Sequence, residues 1–166
     1  MSRYRPPQPT STPIITPEGF QALQEEHDTL RSKTRPEVVK ALSAAAAEGD
    51  RSENAEYIYR KKQLREIDRR LRYLMKRLEV LKVAGSSPTD ASKIYFGAWV
   101  ELADEAGNEV EYRIVGPDEW DVDKGWISID SPVARGLMTK TEGDEVCVDT
   151  PNGQTRWEVL SVRYGS

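Results

Sequence analysis

Four carboxylates fall within nine residues in the segment EGDRSENAE: Glu48, Asp50, Glu53 and Glu56. Helical patterns flank the segment on both sides, so the acids crowd the tip of a hairpin. Asp50 and Glu53 are three residues apart and can converge on one point. Their types allow two kinds of chemistry. In one, Asp50 caps the following helix and Glu53 reaches back to it, a variant of the capping box, and the acids also suit the positive end of the helix dipole. In the other, two hard oxygen donors form a partial shell for Mg²⁺, an ion that keeps waters and substrate phosphate oxygens in its remaining positions. Such a shell would hold the ion weakly alone and would act only where another macromolecule supplies more ligands. One cap is enough for one helix, and Gly49 leaves the backbone open to close approach.

A second chemistry-bearing set follows. At 100° per residue, Lys61, Arg65, Arg69, Arg72 and Lys76 share one helix face, with Lys62 at its edge. The face is read either as the solvated back of a coiled coil, partly balanced by Glu66 and Asp68, or as a phosphate-attracting stripe with salt-dependent affinity. Tyr57 and Tyr59 near the tip suit a base, a protein wall or simple packing. A third segment, Asp130-Ser131-Pro132, is sufficiently explained as a strand end followed by a helix cap.

Positioning these groups requires long helices. Thr16 and Pro17 are an N-cap and first helical turn. Phe20, Leu23, His27 and Leu30 follow at helical spacing, with His27 a packed seam residue. Pro36 predicts a kink or break, after which Val38, Leu42 and Ala45 resume the stripe. Leu64, Ile67, Leu71, Leu74, Leu78 and Leu81 alternate three and four apart, the seam of a coiled coil, and Tyr57 extends that series toward the tip. A helix from Asn54 to Lys82 would run on the order of 43 Å. The short connection around Gly49 and Asp50 predicts an antiparallel hairpin. From about Lys93 the period changes to two, with strands over IYFGAWVEL, VEYRIV, WISID, DEVCVDT and TRWEVLSVRY and one short helix over SPVARGLM. Ser131 is its N-cap and Pro132 its first residue. The fold class is therefore α+β, a long antiparallel coiled-coil hairpin followed by a compact domain. The expected organisation is a disordered leader over residues 1–13, a coiled-coil domain over 14–84 with its acidic tip at 48–56, and a C-terminal domain over 88–166. Trp99, Trp126 and Trp157 are expected in core or half-buried packing.

Composition narrows the classes. Of the 166 residues 31% are charged, and the net charge is −4. Residues 54–82 carry ten bases against four acids, while residues 88–166 carry sixteen acids against seven bases, so the two regions are suited to different partners. No apolar run approaches the roughly 18 residues of a membrane span, and MSRYRPPQPTSTP lacks the apolar stretch of a signal peptide. Cys147 is the only cysteine and His27 the only histidine, which excludes an internal disulfide and argues against an ordinary zinc site. A cytoplasmic location is expected, and any metal should be a hard cation held by oxygens.

In combination, EGDRSENAEY, KKQLREIDRRLRYL, FGAWVE and YRIVG…ISIDSPVARGL resemble the bacterial Gre transcript cleavage factors, nearest to the more basic GreB branch, over about residues 14 to 164. The resemblance implies an FKBP-like C-terminal domain and a coiled coil that enters the secondary channel of RNA polymerase. It places Asp50 and Glu53 on the family's essential tip acids, which help hold Mg²⁺ and its water jointly with polymerase. No ion would be tightly bound by the free protein. Lys61 and Lys62, with Arg65, Arg69 and Arg72 along the same face, fall in the patch that meets the extruded 3′ end of nascent RNA. Asp130, Ser131 and Pro132 fall in the segment associated with docking at the channel rim. The implied activity is stimulation of the polymerase's own hydrolysis of backtracked RNA by a monomer with no nuclease activity alone. Rival expectations are a non-cleaving channel binder, a prolyl isomerase and a free RNA-binding coiled coil; the two tip acids speak against the first and the last.

Overall fold

The computed structural model describes residues 10–49, 54–85 and 87–165. It divides into two compact units, one of residues 20–81 and one combining residues up to 19 with residues from 82 onward.

The first unit is the helical hairpin. Helix α1 (Pro17–Thr29) passes through a π turn (Leu30–Thr34) into α2 (Arg35–Ala46), and α3 (Ala55–Val80) returns. Where a kink or break was expected at Pro36, the chain stays helical through a π turn. A proline nitrogen cannot donate, and its ring crowds the carbonyl four residues back. The chain accommodates this by widening one turn, in which the Arg35 N–H donates to the Leu30 carbonyl, while both flanking residues keep right-handed helical angles. Antiparallel pairing is visible in the cross-links: Asn54 donates to the Ala45 carbonyl at 2.7 Å, Arg35 to Asp68 at 2.7 Å and Arg70 to Glu26 at 2.7 and 2.9 Å. As one chain number falls, its partner's rises. Leu23, Val38, Ala45, Ile67, Leu74 and Leu81 are buried. Leu64, Leu71 and Leu78 are half-buried. A two-helix seam has only one neighbour to cover it, so part of each wide leucine stripe stays wet.

The second unit is a five-stranded sheet covered by one helix. Strands β3 (Trp99–Asp104), β4 (Glu109–Val115), β5 (Trp126–Ser128), β6 (Glu145–Thr150) and β7 (Gly153–Arg163) are arranged in the order β5-β4-β3-β7-β6. All neighbouring pairs are antiparallel except β4 with β5, and β3 meets β7 with a bulge beside Glu101 and Leu102. Alternation sends Val100, Leu102, Ile114, Val146, Val148 and Val159 to the face covered by α4 (Pro132–Leu137), where Ala134 and Leu137 complete the core. Gly136 lets α4 lie close, since an added β-carbon would be 3.1 Å from both Val146 and Val148. On the opposite face the Arg113 guanidinium lies between Trp99 and Trp126, 5.8 and 5.1 Å from their rings, and Arg163 lies 4.7 Å from the Trp99 ring. Trp99, Trp126 and Trp157 are all half-buried.

One sheet was not legible in the sequence. Strand β1 (Ile14–Ile15) pairs in parallel with β2 (Lys82–Val83), bringing the chain before α1 beside the chain leaving α3. The last residues of the expected leader are also engaged. The Pro13 carbonyl accepts the Lys82 N–H at 2.9 Å, and Thr12 is held by Asp130. The segment over 10–19 thus clusters with the sheet unit rather than with the hairpin.

Candidate nucleic-acid interface

The two acids singled out at the tip, Asp50 and Glu53, lie outside the described residues. Their neighbours decide one of the two readings made of them. Helix α3 is capped by Asn54, whose side chain accepts the Tyr57 N–H at 3.0 Å and donates to Ala45 across the turn. The cap position therefore belongs to Asn54, not Asp50. Asparagine caps as well as aspartate, and its place immediately before an alanine-glutamate helix start was the available signal. Of the other tip acids, Glu56 pairs with Arg60 at 2.8 Å, one turn along its own helix, while Glu48 is exposed. Gly49 has φ +130°, a conformation that favours glycine, with open space where a side chain would go.

The bases of α3 fall into two groups. Arg60 pairs with Glu56, and Arg70 makes a two-point bond to Glu26 across the hairpin. Asp68, expected to balance the stripe, instead takes Arg35 of α2, holding that guanidinium above its ordinary pKa through the hydrogen bond and the charge. Glu66, the other acid expected to balance the stripe, is exposed. Lys61, Lys62, Arg65, Arg69, Arg72 and Lys76 are all exposed, and among the described residues none of them forms an ion pair. Lys61 lies 5.9 Å from the Tyr57 ring. Ile58 and Tyr59 are more than half exposed near the tip. The result is a cationic face running along one side of a 26-residue helix, directed away from the buried seam. His27, on the α1 side of the hairpin, is half-buried beside Asp28, in keeping with a packing role.

In the sheet unit, Asp130, Ser131 and Pro132 each have a place in the local structure. Ser131 caps α4 by accepting the Ala134 N–H at 3.2 Å, and Pro132 is the first helical residue. Asp130 accepts the Thr12 N–H at 2.9 Å and the Thr12 hydroxyl at 2.5 Å. Ser131 also borders a largely apolar hollow of about 360 Å³, shared with Tyr112, Trp120, Val122, Trp126 and Ile127. Trp120 and Val122 are 60% and 80% exposed, an apolar pair that composition alone did not single out.

Comparison with known proteins defines the class. The N-terminal transcription elongation factor model matches residues 13–83, and the C-terminal GreA/GreB transcription elongation factor model matches residues 88–164. A transcription elongation factor GreB of Xanthomonas axonopodis pv. citri is 60% identical over 167 residues, covering 100% of this chain and 99% of the relative. A GreB of Pseudomonas aeruginosa is 57% identical over 164 residues, covering 99% and 98%. Among solved structures, GreA factor homolog 1 of Thermus thermophilus is similar at 23% identity, covering 90% of this chain and 97% of that one, with a TM-score of 0.41. Two family models in order along the chain, with relatives matched over nearly their whole length, mark a transcription elongation factor. The chain belongs to the GreA/GreB family.

Proposed function

We propose that this protein stimulates the cleavage activity of RNA polymerase on backtracked transcripts. The hairpin enters the secondary channel, its cationic face attracts the extruded RNA 3′ end, and the tip acids act at the polymerase active site. The observation that carries this reading is the division of the α3 bases, with Arg60 and Arg70 paired and a whole face left exposed without ion pairs among the described residues. A merely solvated coiled-coil back would be expected to intersperse its charges. A phosphate-binding face leaves its cations available.

The tip chemistry fits a jointly held Mg²⁺. Asp50 and Glu53 are hard oxygen donors, and the capping of α3 by Asn54 leaves them unneeded for that purpose. When bound, Mg²⁺ would supply water activation and charge neutralisation at the scissile phosphate. The chain's own part is to bring the two carboxylates into the polymerase site and to hold the RNA strand along α3. Polymerase would supply the remaining ligands, so the protein alone should not cleave RNA and the free protein should not retain the ion.

The test is RNA cleavage in a stalled, backtracked elongation complex with and without the protein, beside RNA incubated with the protein alone. Faster cleavage only in the complex is expected. Binding to the complex without faster cleavage would make it a non-cleaving channel regulator. Turnover of a proline peptide by the full chain would revive the isomerase alternative. Sedimentation of the free protein is expected to show a monomer.

A further inference from the structure

Helix α1 begins in one unit and continues in the other. Its first turn, Pro17 to Gly19, belongs to the sheet unit, and from Phe20 onward it belongs to the hairpin. That first turn is held by Glu119, a half-buried acid between β4 and β5. One Glu119 oxygen accepts the Thr16 N–H at 2.8 Å and the Gly116 N–H at 2.9 Å, and the other accepts the Thr16 hydroxyl. The same hydroxyl caps α1 by accepting the Gly19 N–H at 3.1 Å. A hydroxyl has one proton, so giving it to the carboxylate leaves only lone pairs for the helix. Bonds to a charged acceptor are the stronger kind, and an acid also suits the positive end of α1.

The seat is tightly closed. Thr16 is 1% exposed. A β-carbon at Gly19 would lie 2.2 Å from the Glu119 carboxylate, and one at Gly116 would lie 2.1 Å from the Ile14 carbonyl oxygen. Neither glycine has a left-handed angle, so close approach alone excludes a side chain at both. A helix cap does not require this much, since a threonine hydroxyl supplies it unaided. From Pro17 the chain stays helical to Ala46, roughly 45 Å at 1.5 Å per residue. A change of about 5° in the direction of the first turn would move the far end by roughly 4 Å over that length. At a reacting centre, a displacement of about 1 Å can cost on the order of 10² in rate.

We propose that Glu119 is a positioning residue for transcript cleavage: by gripping Thr16 it fixes the direction in which α1 leaves the sheet unit, and so where the hairpin tip is delivered. The proposal rests on the cleavage reading above and adds to it a residue outside the hairpin.

Full-length Glu119→Ala and Thr16→Val remove the grip from either side, and Thr16→Ser keeps it. Cleavage in a backtracked complex would be followed against protein concentration, giving a saturated rate and a half-saturating concentration. In the free protein, spin labels on Cys147 and on Ser43→Cys, both exposed positions, would report the distribution of distances between sheet unit and hairpin. Glu119→Ala and Thr16→Val should each broaden or shift that distribution. Each should lower the saturated rate about tenfold or more, with less than about a twofold change in half-saturation. The double variant should lose no more than the worse single, and Thr16→Ser should match the wild type. An unaltered distribution, an altered one with undiminished saturated rate, a loss confined to half-saturation, or additive losses would each overturn the proposal. Failure of both Glu119→Ala and Thr16→Val to fold, judged by circular dichroism, would make the grip a condition of folding and overturn it as well. A wild type that does not stimulate cleavage would overturn the cleavage reading and this proposal with it, and is told apart because no variant plays a part in it.

Discussion

The outer face of α3 and the segment 130–132 of the sheet unit were both marked by polar side chains, and the structure treats them in opposite ways. Along α3 the marked cations are exposed and without ion pairs among the described residues, while their neighbours Arg60 and Arg70 are paired. At 130–132 every marked group is engaged within the fold, since Asp130 holds Thr12, Ser131 caps α4 and Pro132 starts it. Available charge points to a partner. Engaged charge points first to the fold. The difference arises because a two-helix hairpin has one seam to satisfy and a wide outer surface, whereas a strand-to-helix turn must satisfy its backbone donors locally.

The comparison can be broken most severely at the tip, beside a helix whose cap is Asn54. Asp50→Asn with Glu53→Gln should leave folding and polymerase binding intact, because α3 is capped by Asn54. Cleavage should fall by on the order of 10²–10³, the cost of losing transition-state electrostatics, with partial recovery at high Mg²⁺. The check is a Mg²⁺ titration of transcript cleavage beside a binding competition, in which the variant should act as an inactive plug. Undiminished cleavage would remove any chemical role from these acids.

Next comes the exposed face. Lys61→Glu with Lys62→Glu should weaken action on long extruded RNA more than on short. If both lysines meet phosphates of a single strand, the salt slope should flatten by roughly 1.4. Arg70→Ala supplies the contrast within the same helix. It breaks the bond to Glu26, should cost less than about 1 kcal/mol as a half-exposed pair, and should leave the slope unchanged. Salt titrations of cleavage rate would measure all three proteins, and equal slopes would erase the distinction between paired and available bases.

The engaged region should answer in stability. Gly116→Ala pushes a β-carbon onto the Ile14 carbonyl and should cost about 1–3 kcal/mol, the usual range for overpacking, with hydrogen exchange quickening around residues 14–16. Denaturant unfolding and exchange would show it, and an unaltered midpoint would mean that residues 10–19 are only loosely held. The smallest effect concerns Asp104, which closes the β3–β4 turn by accepting from Asn108 and Ala106. Its hydrogen bonds to Asn108, side chain first, hold its pKa below the ordinary value. A lowered folded pKa means stability present above the ordinary carboxylate range and lost as pH falls through the folded value. Asp104→Ala should therefore be less stable than the wild type at neutral pH, with the gap closing in acid. Thermal unfolding across pH would test this, and a gap independent of pH would assign the turn to something other than the charge.

Much of this was legible from order along the chain. The leucine seam, the basic face, the change of period near Lys93, the Thr16 cap and the Ser131-Pro132 helix start all depend on neighbours within a few residues, where spacing alone determines which groups share a face. Pro36 was read as the place of a kink or break, and the irregularity found there is a widened turn whose flanking residues keep helical angles. The cap of α3 was assigned one turn too early, at Asp50 rather than Asn54, because acids and asparagine compete for that position and only the observed bond to Tyr57 separates them.

What the sequence determined by itself is the periodic part: two helices with one apolar face each, a stripe of cations opposite the seam of the second, and five alternating strands with one short helix. These follow from 100° and 180° repeats and need no distant partner. Only the tertiary structure decided which charges are available. Whether Asp68 faces Arg69 or Arg35, and whether Asp130 is free or held by Thr12, depends on groups 33 and 118 residues away. The same holds for β1 and β2, two residues each, too short to show a period and formed because the chain before α1 and the chain after α3 meet in the sheet unit. Local repeats can be read in one dimension; the pairing of a charge is a distance in three.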